Sequence, residues 1–233
     1  GADSALGTVP GSADPDNLYV NGATIRPSTS FAIAPTRGLT LGGEGATFDI
    51  GAGLTLDYGG GNVSEPNYQQ TANGFLRTLT VNPDFGDLIK TGDGTLNLIP
   101  AVNNPYNGLT HVRDGTLRLS TPQNANQAER QDLLGTDASW TGSTIVEDGA
   151  SLEINFTGDG SAGDWVTQEW IILKGEGHNG GGALRTVGKG RALSYSGQMY
   201  VDGTTRFNIG TGYVYLNTGG GYLASLDADP TTP

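Results

Sequence analysis

The chain has 233 residues, of which 39 are glycine and none is cysteine, and its formal net charge is −12 at pH 7. The lack of cysteine excludes a disulfide scaffold, thiol chemistry and cysteine-ligated metal sites, and the negative charge argues against nucleic acid or an anionic membrane surface as a partner. No apolar run is long enough to cross a bilayer. The first residues lack a signal-peptide pattern, so we expect that peptide to be absent or already removed.

Short strands are predicted wherever apolar and polar residues alternate around a glycine. In chain order, these units lie at 18–25, 45–56, 92–98, 112–119, 146–154 and 201–209. In the fourth unit, Val112, Leu117 and Leu119 share one face, whereas Arg113 and Arg118 share the other. The Asp-Gly pairs inside the units predict tight turns, because glycine accepts a positive φ without steric cost.

The apolar face of each unit is predicted to point inward and to form the core. The expected inward residues are Phe48, Ile50, Leu54, Leu56, Leu96, Leu98, Leu117, Leu119, Leu152, Ile154, Phe207 and Ile209.

The spacing of the units indicates the fold class. Asn21 and Glu44, which begin equivalent turns, are 23 residues apart, and Asp93 and Asp114 are 21 residues apart. Imperfect repeats of about 20 to 25 residues are typical of a β-solenoid, in which each coil stacks on its neighbour. A β-sandwich also has short alternating strands and is the structural alternative. The recurrence of one turn-and-strand unit favours the all-β solenoid.

The chain is predicted to be one continuous β-helix segment over residues 1–233. Residues 121–135 break the alternation with good helix formers and end at Gly135, so we expect an inserted loop or short helix there. Neither end contains an amphipathic helix that could cap a solenoid, which predicts that both ends continue into neighbouring coils or associate end to end.

Two adjacent segments resemble a known bacterial repeat. Residues 88–98 read Leu-Ile-Lys-Thr-Gly-Asp-Gly-Thr-Leu-Asn-Leu, and residues 103–119 contain Tyr-Asn-Gly-Leu-Thr-His-Val-Arg-Asp-Gly-Thr-Leu. Together they resemble the passenger-associated transport repeat (autotransporter-associated β-strand repeat) of autotransporter passengers and related surface proteins of bacteria. The resemblance implies a right-handed parallel β-helix that is exported to the extracellular space or the bacterial cell surface and is a fragment of a longer repeat protein.

An enzyme acting on glycans would need two or three carboxylates that converge on one groove. The candidates are Asp49 with Asp57, or Glu147 with Asp148 and Glu153, at outward positions of the repeats. Turn formation already explains the aspartates of the Asp-Gly pairs, and no basic residue accompanies the carboxylates in the repeated pattern. We therefore predict that the chain is not an enzyme.

Nucleotide and metal chemistry have little support in the sequence. Residues 175–180 match Gly-x-Gly-x-x-Gly, but glycine and a strand follow where a dinucleotide site needs a helix, which favours a solenoid turn. The two histidines, His111 and His178, are 67 residues apart and form no ligand pair. No cofactor is predicted, although clustered oxygens at 14–17 or 155–159 could suit a structural calcium ion.

Tyr213 and Tyr215 are the residues most able to contact glycans. Alternation in the segment 213–216 predicts that both are exposed, and a flat tyrosine pair can stack on sugar rings, although tyrosine also covers a β-surface well without a ligand.

The sequence as a whole predicts a structural stalk or spacer segment of an exported bacterial cell-surface protein that contributes to adhesion. The alternative is a glycan-binding or glycan-degrading β-helix of the pectin-lyase or tailspike type. The expected partners are neighbouring coils of the parent chain, a second copy bound end to end, and surface glycans, with no nucleic acid and no membrane insertion of this segment.

Overall fold

A computed structural model describes the fold. It covers residues 3–12, 14–59, 76–78, 86–99, 108–121, 134, 144–156, 165–167, 170–188, 192–195, 197–210, 213–216 and 223–225.

Within these residues, short parallel strands account for nearly all regular structure. They are β1 (Asp14–Val20), β2 (Ala23–Ile25), β3 (Phe31–Ile33), β4 (Arg37–Leu41), β5 (Ala46–Asp49), β6 (Thr55–Gly59), β7 (Leu76–Thr78), β8 (Leu88–Thr91), β9 (Thr95–Ile99), β10 (Thr110–Val112), β11 (Gly115–Thr121), β12 (Thr144–Val146), β13 (Ala150–Phe156), β14 (Trp165–Thr167), β15 (Ile171–Lys174), β16 (Leu184–Gly188), β17 (Ala192–Tyr195), β18 (Met199–Asp202), β19 (Phe207–Ile209), β20 (Tyr213–Leu216) and β21 (Leu223–Ser225). Two short 3₁₀ helices, Asp3–Leu6 and His178–Gly180, complete the described elements.

The strands form four sheets in which each strand pairs with the equivalent strand of the next coil. The eight-stranded sheet has the order β2-β5-β8-β10-β12-β15-β18-β21, and the seven-stranded sheet has the order β19-β16-β13-β11-β9-β6-β3. Two three-stranded sheets, β1-β4-β7 and β14-β17-β20, lie beside them. Every described pairing is parallel, for example β10 with β12 and β11 with β13. This confirms the predicted parallel β-solenoid and excludes the antiparallel sandwich.

The core consists of side-chain columns that run from coil to coil. In the seven-stranded sheet, paired strands place five leucines in one inward column, namely Leu56, Leu96, Leu117, Leu152 and Leu184. All five are fully buried. Alternation therefore predicts the interior correctly along this sheet, because successive side chains of a strand point to opposite faces.

Three of the residues predicted to lie inside differ from that expectation. Leu54 is only partly buried and packs against the core from the corner before β6. Phe207 and Ile209 are 36% and 38% exposed. Both continue inward columns, opposite Leu184 and Thr186, but β19 is the edge strand of its sheet, so no further described strand covers them.

Coil length varies more than the average repeat predicts. Paired positions of the eight-stranded sheet are 23 residues apart from Ala23 to Ala46 and 22 from Leu88 to Thr110, but 34 from Thr110 to Thr144. The longest of these coils contains the whole of the predicted insertion at 121–135. That prediction falls largely outside the described residues. Leu134, which is described, is buried, and its carbonyl accepts a hydrogen bond from Thr110 Oγ1 at 3.1 Å.

The Asp-Gly pairs form corners between sheets. Gly115 and Gly149 have φ values of 66° and 84°, as the turn prediction requires, and they separate strands of the eight-stranded sheet from strands of the seven-stranded sheet. The Asp93-Gly94 turn is different, because the positive φ lies at Gly92. Residues 175–180 form a glycine corner that leads through a 3₁₀ turn into β16, which confirms the solenoid-turn interpretation of this motif.

Candidate functional site: polar ladders on the outer faces

The outer face of the seven-stranded sheet carries a polar column. We call it the Glu153 ladder, and its members occupy paired positions of six successive strands: Asp57, Asn97, Arg118, Glu153, Arg185 and Asn208. Adjacent strands of a sheet lie about 4.8 Å apart. Each member is therefore within side-chain reach of the member in the next coil.

Glu153 lies at the centre of this ladder and is shared by two arginines. Its Oε1 accepts a hydrogen bond from Arg118 Nε in the preceding coil, and its Oε2 accepts one from Arg185 Nε in the following coil at 2.6 Å. The Glu153 side chain is 4% exposed, whereas those of Arg118 and Arg185 are 32% and 20% exposed. Arg185 Nη2 also donates to Thr116 Oγ1 at 3.1 Å. One buried carboxylate thus connects three consecutive coils.

The ladder continues as a hydrogen-bond network toward the earlier coils. Asn97 Nδ2 donates to Asp57 Oδ1 at 2.6 Å, and Asn97 Oδ1 accepts from Ser120 Oγ at 2.7 Å. Asn155 Nδ2 donates to Ser120 Oγ at 3.0 Å. Buried polar groups that all have partners fix one arrangement of their strands, so this network specifies the register of the coils.

A second carboxylate links coils on the eight-stranded sheet. Glu147 Oε1 lies 2.8 Å from His111 Nε2, and Glu147 Oε2 accepts from Lys174 Nζ at 2.9 Å. Burial on its own would raise the pKa of Glu147, but the hydrogen bonds and charges of Lys174 and His111 together lower that pKa below its usual value. Arg26 and Asp49 form a further ion pair between the first two coils of this sheet.

Lys90 is a charged residue in an otherwise apolar inward column. It pairs with Phe48 in the preceding coil and Val112 in the following coil, and it is completely buried. Its ammonium donates to three carbonyls, those of Thr91 at 2.8 Å, Gly92 at 2.6 Å and Asp114 at 3.1 Å. Burial lowers the pKa of Lys90 to about 8, against the attraction of nearby aspartates. The side chain thereby ties its own corner to the corner of the next coil.

Arg37 is another buried charged residue, and it links neighbouring segments at the first coils. It is 1% exposed and pairs with Asp3 at 3.2 Å. It also donates to the carbonyls of Leu6 and Gly7 and to Asn17 Oδ1. These contacts hold the 3₁₀ helix Asp3–Leu6 against β4.

The carboxylates named as candidates for glycan cleavage do not converge. Asp49 lies on the eight-stranded sheet and Asp57 on the seven-stranded sheet, each with its own partner. Glu147 and Glu153 are likewise on different sheets, and Asp148 is in an exposed turn. No basic residue accompanies these carboxylates in the repeated sequence pattern, but basic residues of neighbouring coils reach three of them in the fold. Arg26 pairs with Asp49, Lys174 with Glu147, and Arg118 and Arg185 with Glu153.

The remaining sequence candidates stay as predictions. Tyr213 and Tyr215 lie in β20, opposite Ala192 and Ser194 of β17, but their side chains are outside the described part of the structure. At the first calcium candidate, Asp14 Oδ2 accepts from Asn17 Nδ2 at 3.0 Å, while Asp159 of the second lies outside the described residues. Among the side chains that the structure describes, no three histidine, aspartate or glutamate residues are grouped as metal ligands.

A known repeat family and a bacterial adhesin are similar to this chain. Residues 88–119 match the family model of the passenger-associated-transport-repeat, and this stretch includes Lys90 and Arg118. Over 214 residues the chain is 30% identical to the adhesin BmaC autotransporter of Brucella suis biovar 1 (strain 1330). The alignment covers 90% of this chain but only 5% of that adhesin.

Comparison with solved structures gives no match. In the described part of the chain, no helix has the length and apolar character needed to span a membrane. The resemblance predicted from the sequence is confirmed: residues 88–119 are a passenger-associated transport repeat, and most of the chain is similar to an autotransporter surface protein of bacteria.

Proposed function

We propose that this chain is a non-enzymatic spacer segment of an exported bacterial surface protein, and that it contributes to adhesion by holding other parts of that protein away from the cell. The observation that carries the proposal is the continuous parallel pairing of eight strands in one sheet. Each coil of a solenoid contacts only its neighbours, so its length grows with coil number while its cross-section stays constant. Such a rod is suited to holding other parts of the protein at a fixed distance from the cell.

The ladders support a rod that resists bending between coils. Glu153 joins three coils on one face, and Glu147 joins coils on another through His111 and Lys174. Lys90 joins two coils from inside. Glu153 and Glu147 lie on different sides of the solenoid but link the same three coils, so opening these coils on either side would break at least one link.

The similarity to known proteins supports exposure at the cell surface. The passenger-associated-transport-repeat match and the similarity to an autotransporter adhesin both favour an exported passenger segment. The adhesin is far longer than this chain, so its ligand is not carried over. A non-enzymatic role is favoured because four of the five candidate carboxylates, Asp49, Asp57, Glu147 and Glu153, hold hydrogen bonds or ion pairs with neighbouring coils.

The proposal is tested by measuring the stiffness of the purified chain. The sequence contains no cysteine, so dyes can be attached uniquely to the variant Thr24→Cys with Thr204→Cys, at two exposed positions. Thr24 lies in β2 and Thr204 follows β18, six strand spacings further along the sheet. At about 4.8 Å per spacing the axial separation is about 29 Å.

Single-molecule energy transfer should give one narrow distance distribution for this pair. The matched control is the same doubly labelled variant in denaturant, which should give a broad distribution at longer distance. A native distribution as broad as that control, or two interconverting distances, would contradict a rigid spacer.

A further inference from the structure

The two arginines of the Glu153 ladder, Arg118 and Arg185, have partly exposed guanidinium groups whose outer N–H donors the links between coils do not require. Arg118 donates to Glu153 through Nε only, and its two terminal nitrogens have no hydrogen-bond partner in the described part of the chain. Among the described residues, Arg185 has hydrogen-bond partners for Nε and Nη2 but none for Nη1. A guanidinium has five N–H donors, so most of the donors of Arg118 remain available. With 32% and 20% of their side chains exposed, the two arginines are open to solvent.

The cluster of Arg118, Glu153 and Arg185 carries one net positive charge, although the chain is strongly acidic. Arg206 lies two residues before Asn208 in the next coil, is exposed, and forms no ion pair with any described residue. The side chain of Asp148 lies close to Gly175, whose carbonyl accepts a hydrogen bond from Arg206 N at 3.0 Å, so a carboxylate is also near Arg206. Among the described residues, Arg118 and Arg185 share a single carboxylate, that of Glu153.

The two arginines are held in fixed positions before any ligand arrives. Arg118 and Arg185 are in paired register with Glu153 on strands β11, β13 and β16, at the centre of the seven-stranded sheet. Glu153 anchors both at Nε, and Thr116 anchors Arg185 a second time. A side chain that is already ordered loses little entropy on binding.

The spacing of the pair favours a repeating ligand. The two arginines are two strand spacings apart, which is about 9.6 Å. One sugar of a glycan chain is about as long as one coil is high, so carboxylates on alternate sugars would lie opposite Arg118 and Arg185. The sugar between them would lie over Glu153, whose buried carboxylate would not repel a neutral sugar.

We infer that this outer face, centred on Arg118 and Arg185, binds an acidic glycan in which every second sugar carries a carboxylate. The guanidinium fork matches a planar carboxylate with two parallel hydrogen bonds, a geometry that an ammonium group does not offer. Asn208 is exposed at the end of the ladder, and its Nδ2 donates to the Gly181 carbonyl at 3.1 Å, so its amide oxygen is the group that can accept from a sugar hydroxyl. This site is separate from Tyr213 and Tyr215 and is not required by the spacer role.

The test is calorimetric titration of the whole chain with an octasaccharide of alternating glucuronate and N-acetylglucosamine. We expect saturable binding that weakens as salt is added, and no binding of an N-acetylglucosamine octasaccharide. A sulfated octasaccharide without carboxylates separates the two sources of negative charge. Equal or tighter binding of that compound would overturn the assignment to carboxylates, and no binding of the glucuronate compound would overturn the site.

Three variants locate the site. Arg118→Lys keeps a cation beside Glu153 but removes the fork, and should weaken binding about tenfold. Arg206→Gln removes an exposed positive charge next to the ladder, so it should weaken glycan binding. It should not change the unfolding midpoint, because Arg206 forms no ion pair with any described residue. Arg113→Gln is the matched control, because Arg113 is exposed and directly follows β10 of the eight-stranded sheet. Equal weakening by all three variants would contradict a defined site.

Discussion

Glu153 and Glu147 form a natural pair for measuring what a coil-to-coil carboxylate contributes. Each carboxylate contacts two basic side chains from the coils before and after it. The Glu153 side chain is 4% exposed and that of Glu147 is 32% exposed. The chemistry is thus similar, and burial is the main variable.

We predict that Glu153→Gln lowers the free energy of unfolding by about 3 kcal/mol, because removing one member of a buried ion pair leaves its partners without a counter-charge. Gln keeps the size of the side chain and one acceptor oxygen for one arginine, but it presents an amide N–H₂ to the other guanidinium. Glu147→Gln should cost at most about 1 kcal/mol, the range of exposed ion pairs. The measurement is urea unfolding of both variants at pH 7, followed by circular dichroism.

Salt gives a second and independent expectation. Added sodium chloride should abolish most of the effect of Glu147→Gln, because exposed charges are screened within a few ångströms at high ionic strength. The effect of Glu153→Gln should persist, because its carboxylate is out of contact with the solvent. Equal losses for the two variants, or equal sensitivity to salt, would refute the argument that burial of Glu153 determines its contribution.

Three further predictions follow from single positions. Lys90→Met should remove a pH dependence. Between pH 8 and 10.5 the unfolded chain binds more protons than the folded chain, because burial lowers the pKa of Lys90 from 10.5 to about 8. The free energy of unfolding of the wild type should therefore rise by about 3 kcal/mol over this range, and that of the variant should not; identical pH profiles in urea titrations would contradict this. Gly115→Ala should destabilise by about 1 to 3 kcal/mol in the same assay, because φ is 66° and the new methyl group would meet the Gly94 carbonyl oxygen at 2.5 Å. Leu117→Ala should cost about 2 to 5 kcal/mol by thermal or urea unfolding, since this side chain is fully buried in the leucine column; a loss below that of Gly115→Ala would be unexpected.

The interior could be predicted from the sequence because strand geometry converts alternation directly into burial. Alternation alone places four leucines inward, and all four are fully buried or nearly so: Leu96, Leu98, Leu117 and Leu119. Phe207 and Ile209 obey the same alternation but are exposed. Their exposure depends on whether another strand covers them, and alternation within one strand carries no information about its neighbours.

The outer ladders could not be predicted, because their members come from coils of unequal length. Glu153 is 35 residues from Arg118 and 32 from Arg185, whereas the average repeat of 20 to 25 residues would pair other positions. Lys90 was visible as part of the transport repeat, but its role depends on corner carbonyls that converge only in the folded coil. An alignment of the units by their inward leucines would have brought Arg118, Glu153 and Arg185 together.

The most direct test of the parallel stacking uses engineered disulfides between coils. Ile145 and Ile172 lie opposite each other on β12 and β15, with outward side chains. Tyr200 lies opposite Ile172, one coil further along. Two cysteines can be joined only when their Cα atoms are within about 7 Å. We expect Ile145→Cys with Ile172→Cys to form an intramolecular disulfide under mild oxidation, and Ile145→Cys with Tyr200→Cys not to form one. Efficient cross-linking of the second pair, or failure of the first in a folded variant, would contradict the stacked parallel solenoid.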